Sequence, residues 1–373
     1  MNVVITASML GPLYELFGWL IAQFYHLLGN YGLAIVFFTL IVRGAFIPLS
    51  VKSSKSMLAT QALQPRLAEL QRIYGKDREK YAQAQMALYK ENGVSMAGGC
   101  LPSLIQLVLI WPMYRVISCP LTYIMGVPTE NLQKIVENLQ SKGLIGNIAP
   151  VEVSNIPVLQ ALHANPSVLA ESINQGLIRA TDMMDLNFLG LNLGLIPTIN
   201  VGQLFGAEMH IWLPLLIIPI LTAVTAYIPQ WLAEKTNPVM MLNKKKKELA
   251  KNNPARQAQS DNNSQMESMN RMMKWMPLLS IVFAFTMPAG MGLYIIVGSL
   301  AFIFSSIISY YLYNKPFADL LVAYESGAIS EEELEKINGK MSPRQLAKIE
   351  KSKKRTEKLR QLQEQMKEQN TKR

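Results

Sequence analysis

The chain has 373 residues, half of them hydrophobic and only 17% charged. An ordinary soluble domain carries about a quarter charged residues, so this class fits poorly. The net charge of +10 suits nucleic acid, a membrane surface or a ribosome, and the placement of the charges has to decide. Long apolar runs alternate with Lys-rich stretches, the arrangement of an integral membrane protein.

Residues 1–30 come first. Within them, 11–28 open on Gly11-Pro12 and mix Glu15, Gln23 and His26 with Trp19, Phe24 and Tyr25. This reads as an amphipathic helix lying in the membrane interface, with a transmembrane helix on an acidic flank as the alternative. No Lys or Arg precedes Arg43, so the basic n-region of a signal peptide is missing. These residues are expected to belong to the mature protein.

Five apolar segments follow that match the roughly 20 residues needed to span a bilayer: 31–51, 98–118, 208–233 (apolar from 210), 271–287 and 289–313. They are apolar all round rather than alternating, which predicts helices and excludes barrel strands. The fold class expected is an all-α integral membrane protein of five core transmembrane helices.

The segments between them set the topology. Segment 52–97 holds eight Lys/Arg against four Asp/Glu, segment 119–207 three against six, segment 234–274 nine against four, and tail 314–373 fourteen against ten. Basic loops stay in the cytoplasm. Five spans then place the N-terminus outside, 52–97 and 234–270 inside, 119–207 outside and the tail inside. Segment 52–97 reads as a cytoplasmic helical hairpin broken at Gly75, its first arm kinked at Pro65. Its apolar positions are Met57, Leu58, Leu63, Leu67 and Leu70, then Tyr81, Met86, Leu88 and Tyr89. Segment 234–270 is a basic linker around Lys244 to Lys247. Met287-Pro288-Ala289-Gly290 leaves almost no loop between the last two spans, which therefore form a closed hairpin. In the tail, Ser330 with Glu333 fits a capping box and Ser342-Pro343 a second helix start.

The two cysteines, Cys100 and Cys119, flank one apolar run. A helix there separates them by roughly 28 Å, too far for a disulfide. His26, His163 and His210 have no metal-ligand spacing, so no metal site and no cofactor are expected.

Arg43 is the most informative residue. It sits within the first span, between Val42 and Gly44, and arginine keeps its proton in proteins. Burying it there costs about 2.5–3.5 kcal/mol on insertion scales. Thr39, Arg43 and Ser50 share one helix stripe. The other four spans contain no Asp or Glu apart from Glu208, which borders the third at its outer end. Two readings stand. In one, Arg43 faces a hydrophilic groove lined by Thr39, Gln106, Thr225, Gln230 and Ser299, with Ser305 and Ser306 further along. In the other, Arg43 snorkels toward the basic flank at Lys52. Arg115, near the end of its span, fits snorkelling.

The Met-rich run Met266, Met269, Met272, Met273 and Met276 precedes the fourth span. Flexible thioethers suit varied apolar ligands, and Met269, Met272 and Met273 are candidate contacts for hydrophobic segments; membrane-edge packing is the plainer alternative. Trp111, Trp212, Trp231 and Trp275 lie near span ends, as interface anchors do. The basic tail around Lys351 to Arg355 suits either ribosomal RNA phosphates or anionic lipid.

The stretch Ile41-Val42-Arg43-Gly44-Ala45-Phe46-Ile47-Pro48-Leu49 resembles the first core span of the YidC/Oxa insertases. Ala62-Leu63-Gln64-Pro65 resembles that family's cytoplasmic hairpin. Gly98-Gly99-Cys100-Leu101-Pro102-Ser103-Leu104-Ile105-Gln106 resembles the start of its second core span, and Met276-Pro277 through Pro288-Ala289-Gly290-Met291-Gly292-Leu293-Tyr294 its final hairpin. The likeness covers about 31–118 and 209–313. It implies five core helices around a groove open to cytoplasm and lipid, with Arg43 as the groove arginine. It also implies insertion of nascent membrane proteins without nucleotide, and no enzymatic reaction. The partners implied are nascent membrane proteins and lipid, with the ribosome and the Sec translocon at the hairpin and the basic tail. Two departures are visible. The large folded domain that precedes the first core span in Gram-negative members has no counterpart, which points to a short form. Pro229 stands where a groove glutamine is expected, with Gln230 beside it. The rival reading is an anion-handling transporter or channel using Arg43, but transporters often carry repeats and broken helices, and neither is visible here.

Overall fold

A computed structural model describes residues 2–74, 77–91, 101–236, 275 and 278–315. Gly75, Cys100, the linker around Lys244 to Lys247, Met266 to Met273, Met276 and the tail from residue 316 lie outside the described residues. The helices are α1 (Asn2–Leu28), α2 (Tyr31–Ala62), α3 (Gln64–Tyr74), α4 (Arg78–Glu91), α5 (Leu101–Ser118), α6 (Pro120–Tyr123), α7 (Thr129–Ser141), α8 (Ile156–Ala164) and α9 (Pro166–Asn174). After a two-stranded hairpin, β1 (Asn187–Phe188) with β2 (Leu191–Asn192), come α10 (Val201–Leu204), α11 (Met209–Leu215) and α12 (Ile217–Thr236). The described chain closes with α13 (278–286), α14 (Ala289–Ser309) and a π-helical turn at Tyr310–Asn314.

Three stretches among the described residues are long and apolar enough to cross a membrane: Tyr31–Ser54, Met209–Leu232 and Ala289–Asn314. They fall on three of the five expected spans. The other two expected segments, 98–118 and 271–287, are described only in part, as α5 and α13. The protein is an all-α membrane protein with almost no sheet.

The contacts group the chain into two compact units. The first takes Met1–Ile47, Ser103–Gln230 and Arg271–Ile303. Its single apolar core joins α1, α2, α5, the 119–195 segment, α12 and α14. On α1 the buried residues Tyr14, Phe17, Ile21 and Ala22 recur at helical spacing, while Glu15, Leu16 and Trp19 are exposed. Phe17 and Phe24 are two turns apart on α1, yet they meet Phe38 and Phe37 on a single turn of α2. So α1 crosses α2 steeply and does not lie along it, although only Gly29 and Asn30 join them. Gly29, at φ +64°, supplies the left-handed turn that reverses the chain.

Residues 119–207, read from the sequence as one loop, are a folded helical insert. Its helices are amphipathic and short; α7 buries Leu132, Ile135 and Leu139 on one face. Asn155, fully buried, is the pin. Its backbone N–H donates to Ser118 O (3.0 Å), its Nδ2 to Thr122 Oγ1 (2.9 Å), and its Oδ1 accepts from Leu121 N (3.2 Å). These bonds tie the start of α8 to the end of α5 and to α6. Lys142 pairs with Glu171, and Arg179 Nη2 with Asp182 Oδ1 at 2.8 Å. The hairpin β1–β2 presses Phe188 onto α2 at Gly32, where a Cβ would stand 2.2 Å from the ring.

The α1–α6 contact is equally close. A Cβ on Gly18 would lie 2.1 Å from the carbonyl oxygen of Tyr123, a backbone atom that cannot swing away. Gly18→Val is therefore expected to lose about 1–3 kcal/mol of stability to overpacking. A thermal melt of the purified protein in detergent checks this, against Gly11→Val, a site with open space.

The second unit takes Pro48–Pro102, Trp231–Asn270 and Phe304–Arg373. Its described part contains the helical hairpin α3–α4, closed by Leu63, Leu67, Leu88 and Tyr89 with Leu70 against them. Met86 is exposed and takes no part. The expected kink at Pro65 is instead a break. Helix α2 ends at Ala62, Leu63 turns the chain, and Pro65 falls in the first turn of α3, where its missing N–H loses no helical bond. Asp77 caps α4, its Oδ1 accepting from Lys80 N at 3.1 Å.

Candidate functional site

On α2 the residues Tyr31, Ala34, Ile35, Phe38 and Thr39 are buried, whereas Phe37, Leu40 and Ile41 are exposed. Arg43 continues the inward stripe one turn after Thr39 and is half-buried. Its guanidinium reaches α14. The Cζ atom lies 5.7 Å from the centroid of the Tyr294 ring. A Cβ on Gly298 would stand 2.9 Å from Nη2 and 3.1 Å from Nε. Tyr294 and Gly298 are one turn apart on the same face of α14, so ring and bare backbone form a notch that receives the guanidinium. Cation–π attraction of this kind is worth about 0.5–2 kcal/mol, more as water is excluded.

Depth follows from helix rise. Arg43 lies twelve residues past Tyr31, about 18 Å along α2. Gly298 lies nine residues past Ala289, about 14 Å along α14. Both residues therefore lie well inside their apolar stretches, Tyr31–Ser54 and Ala289–Asn314, away from either end.

Threonine hydroxyls on α2 and α12 turn onto their own helices. Thr39 Oγ1 donates to Ile35 O (2.6 Å), Thr222 Oγ1 to Ile218 O (2.8 Å) and Thr225 Oγ1 to Leu221 O (2.8 Å). All three residues are buried. Each hydroxyl is thereby satisfied as a donor and keeps lone pairs to accept with. Prolines add acceptors. Pro48 has no N–H for the carbonyl of Gly44, nor Pro229 for that of Thr225. Gln230 is half-buried, and its Oε1 is a buried acceptor with no hydrogen-bond partner among the described residues. Gly292 lets α14 approach α12, since a Cβ there would stand 2.3 Å from Ile218 Cγ2 and 3.7 Å from Thr222 Oγ1.

Of the residues expected from sequence, Thr39 and Arg43 share one face of α2, Thr225 and Gln230 lie on α12, and Ser299, half-buried, follows Gly298 on α14. The side chain of Gln106 and the whole of Met269, Met272 and Met273 lie outside the described residues. Sequence reasoning missed Tyr294, Gly298 and Thr222. The first two carry a readable signal, an aromatic and a glycine at i and i+4 inside an apolar helix. No group of His, Cys, Asp or Glu able to hold a metal occurs among the described residues. Arg43 supplies a held cation against α14, and α2 and α12 each carry hydrogen-bond acceptors.

Cys119 is buried, its Sγ donating toward Glu152 O (3.4 Å), and burial pushes its thiol up to about 11. Only thiolates alkylate. At pH 8 Cys119 is therefore expected to resist maleimide in the folded protein and to react after denaturation, read by mass shift.

Apolar spans, with a half-buried arginine on one held against another, define an integral membrane protein. The family described as 60Kd inner membrane protein matches residues 23–316, and the chain belongs to this YidC/Oxa family. A protein of Pseudomonas fluorescens named Membrane protein insertase YidC is 42% identical over 99 residues, which is 26% of this chain and 18% of that relative. Proteins of the same name from Pseudomonas entomophila and Pseudomonas putida are each 41% identical over 99 residues, with the same coverage. The matched stretch is thus less than a fifth of each relative's length.

Proposed function

We propose that this protein is a membrane protein insertase, which takes hydrophobic segments of nascent proteins from the cytoplasm into the bilayer through a polar groove containing Arg43. The observation that carries the reading is the guanidinium held at mid-span depth against Gly298 and Tyr294. That position favours a groove over snorkelling, because the charge points across the bundle and not toward head groups. The relatives' printed name supports the same reading.

The mechanism follows from the site. A fixed positive charge in a low-dielectric surrounding attracts the acidic, translocating tail of a client. Threonine hydroxyls, the Gly44 and Thr225 carbonyls and Gln230 supply acceptors that keep water and tail N–H groups hydrogen-bonded. The polar tail then crosses a shortened apolar path, while the client's hydrophobic segment leaves sideways into lipid. No nucleotide or cofactor takes part. The ribosome or the Sec translocon engages the hairpin and basic tail, and Met269, Met272 and Met273 receive apolar segments. In this reading the protein resides in the bacterial plasma membrane with its N-terminus outside and its C-terminus in the cytoplasm.

Site-specific crosslinkers at Val42 and Phe46 are expected to capture stalled nascent chains of client membrane proteins, and not stalled chains of soluble proteins. Equal capture of both would refute the reading. Cysteines introduced at exposed positions of 119–207 are expected to react with an impermeant thiol reagent added to intact cells, and cysteines in 52–97 are not. Native Cys119, being buried, does not confuse that measurement.

A further inference from the structure

The insert 119–207 is chemically divided. Its nine charged residues all lie in 119–185, and the 22 residues 186–207 carry none. Large apolar side chains stand free on this uncharged stretch: Leu189 is 85% exposed, Ile196 47%, Ile199 74%, Val201 68% and Phe205 69%. Leu189 occupies the hairpin tip at φ +53°, a conformation leucine rarely adopts, beside Gly190 at +80°. An isolated exposed leucine needs no explanation, but a run of five with no charge among them marks an interaction surface.

The position of this stretch names its partner. Phe188 rests on Gly32, the second residue of α2 and of the span Tyr31–Ser54. The carbonyls of Leu195 and Leu193 accept from the N–H groups of Ala289 and Gly290, both at 2.8 Å, at the start of the span Ala289–Asn314. Strand β2 packs on α11, where the span Met209–Leu232 begins. The stretch is thus held at the level of three span ends at once and runs without interruption into one of them.

We propose that residues 186–207 form a lipid-seated collar, with Leu189, Ile196, Ile199, Val201 and Phe205 embedded at the boundary between head groups and acyl chains. The absence of charge makes the seat independent of anionic lipid, in contrast to a basic interfacial helix. The proposal requires that the chain spans a membrane; it does not depend on what passes along Arg43.

The test uses the full chain in phosphatidylcholine vesicles. Single cysteines at 189, 199 or 205 in a Cys100→Ala, Cys119→Ala background carry an environment-sensitive fluorophore, with Lys142→Cys as the aqueous control. Quenching by acyl-chain nitroxide lipid is expected to be at least about threefold stronger at 199 and 205 than at 142, with aqueous iodide giving the reverse order. Replacing a third of the lipid by phosphatidylglycerol is expected to change neither. Iodide quenching at 199 and 205 equal to that at 142 would overturn the collar. So would protection from both quenchers, the signature of a protein partner or a second copy. The unmodified chain gives an independent reading: a phospholipid with a photoreactive acyl chain is expected to label 186–207, and labelling confined to the spans would overturn the proposal.

Discussion

Arg43→Glu is expected to abolish insertion of clients whose translocated tail is acidic, while Arg43→Lys largely preserves it. At 4 Å and an effective dielectric of about 20, a pair of unit charges interacts by about 4 kcal/mol, and reversal turns that attraction into repulsion. Since each 1.4 kcal/mol is a factor of ten, a loss of at least about 100-fold in insertion of acid-tailed clients is expected. Lysine keeps the charge and loses only the planar fit over Tyr294. A client with a basic tail is expected to gain from the glutamate variant, which separates lost charge from lost folding. The measurement is protease protection of several tails in a host depleted of its own insertase. Equal rescue by wild type and Arg43→Glu across those clients would remove the charge from the mechanism.

Filling the notch from the other side is expected to have the second-largest effect. A Cβ at Gly298 would lie under 3.0 Å from Nη2, which is the far end of a flexible side chain. Gly298→Ala is therefore accommodated by a small shift of the guanidinium and stays near wild type. Gly298→Leu occupies the space itself and forces Arg43 out of the notch. A loss of about tenfold for acid-tailed clients is expected, with an overpacking cost of about 1–3 kcal/mol. Insertion assays alongside thermal melts check both. Wild-type insertion by Gly298→Leu would mean that the notch does not set the position of the charge.

The spans were legible because a run of about 20 apolar residues has few other uses, and the three best described ones fall within a few residues of their expected bounds. Arg43 was legible for the same reason: one charge in an apolar run stands out without any knowledge of its neighbours. Thr39 followed from helical periodicity. Tyr294 and Gly298 were not read, because their role depends on which face of α14 meets α2 some 250 residues away, and no local pattern encodes that. The insert 119–207 was hidden for another reason. Its helices are only about one to four turns long, and their cohesion comes from Asn155 and from neighbours distant in sequence. Thr225 reads from sequence as a candidate groove hydroxyl; the structure adds that it donates to its own helix, which leaves its lone pairs free to accept.

The two carbonyls that cap α14 have a mechanical consequence. The N–H groups of Ala289 and Gly290 belong to the first turn of a transmembrane helix, and in lipid an unmet backbone donor costs several kcal/mol. Sliding this helix against the 193–195 turn would leave both donors unpaired at once. Its capped end is therefore expected to act as a fixed pivot, so that in the proposed insertion the movement that admits and releases a client is easiest toward its opposite end.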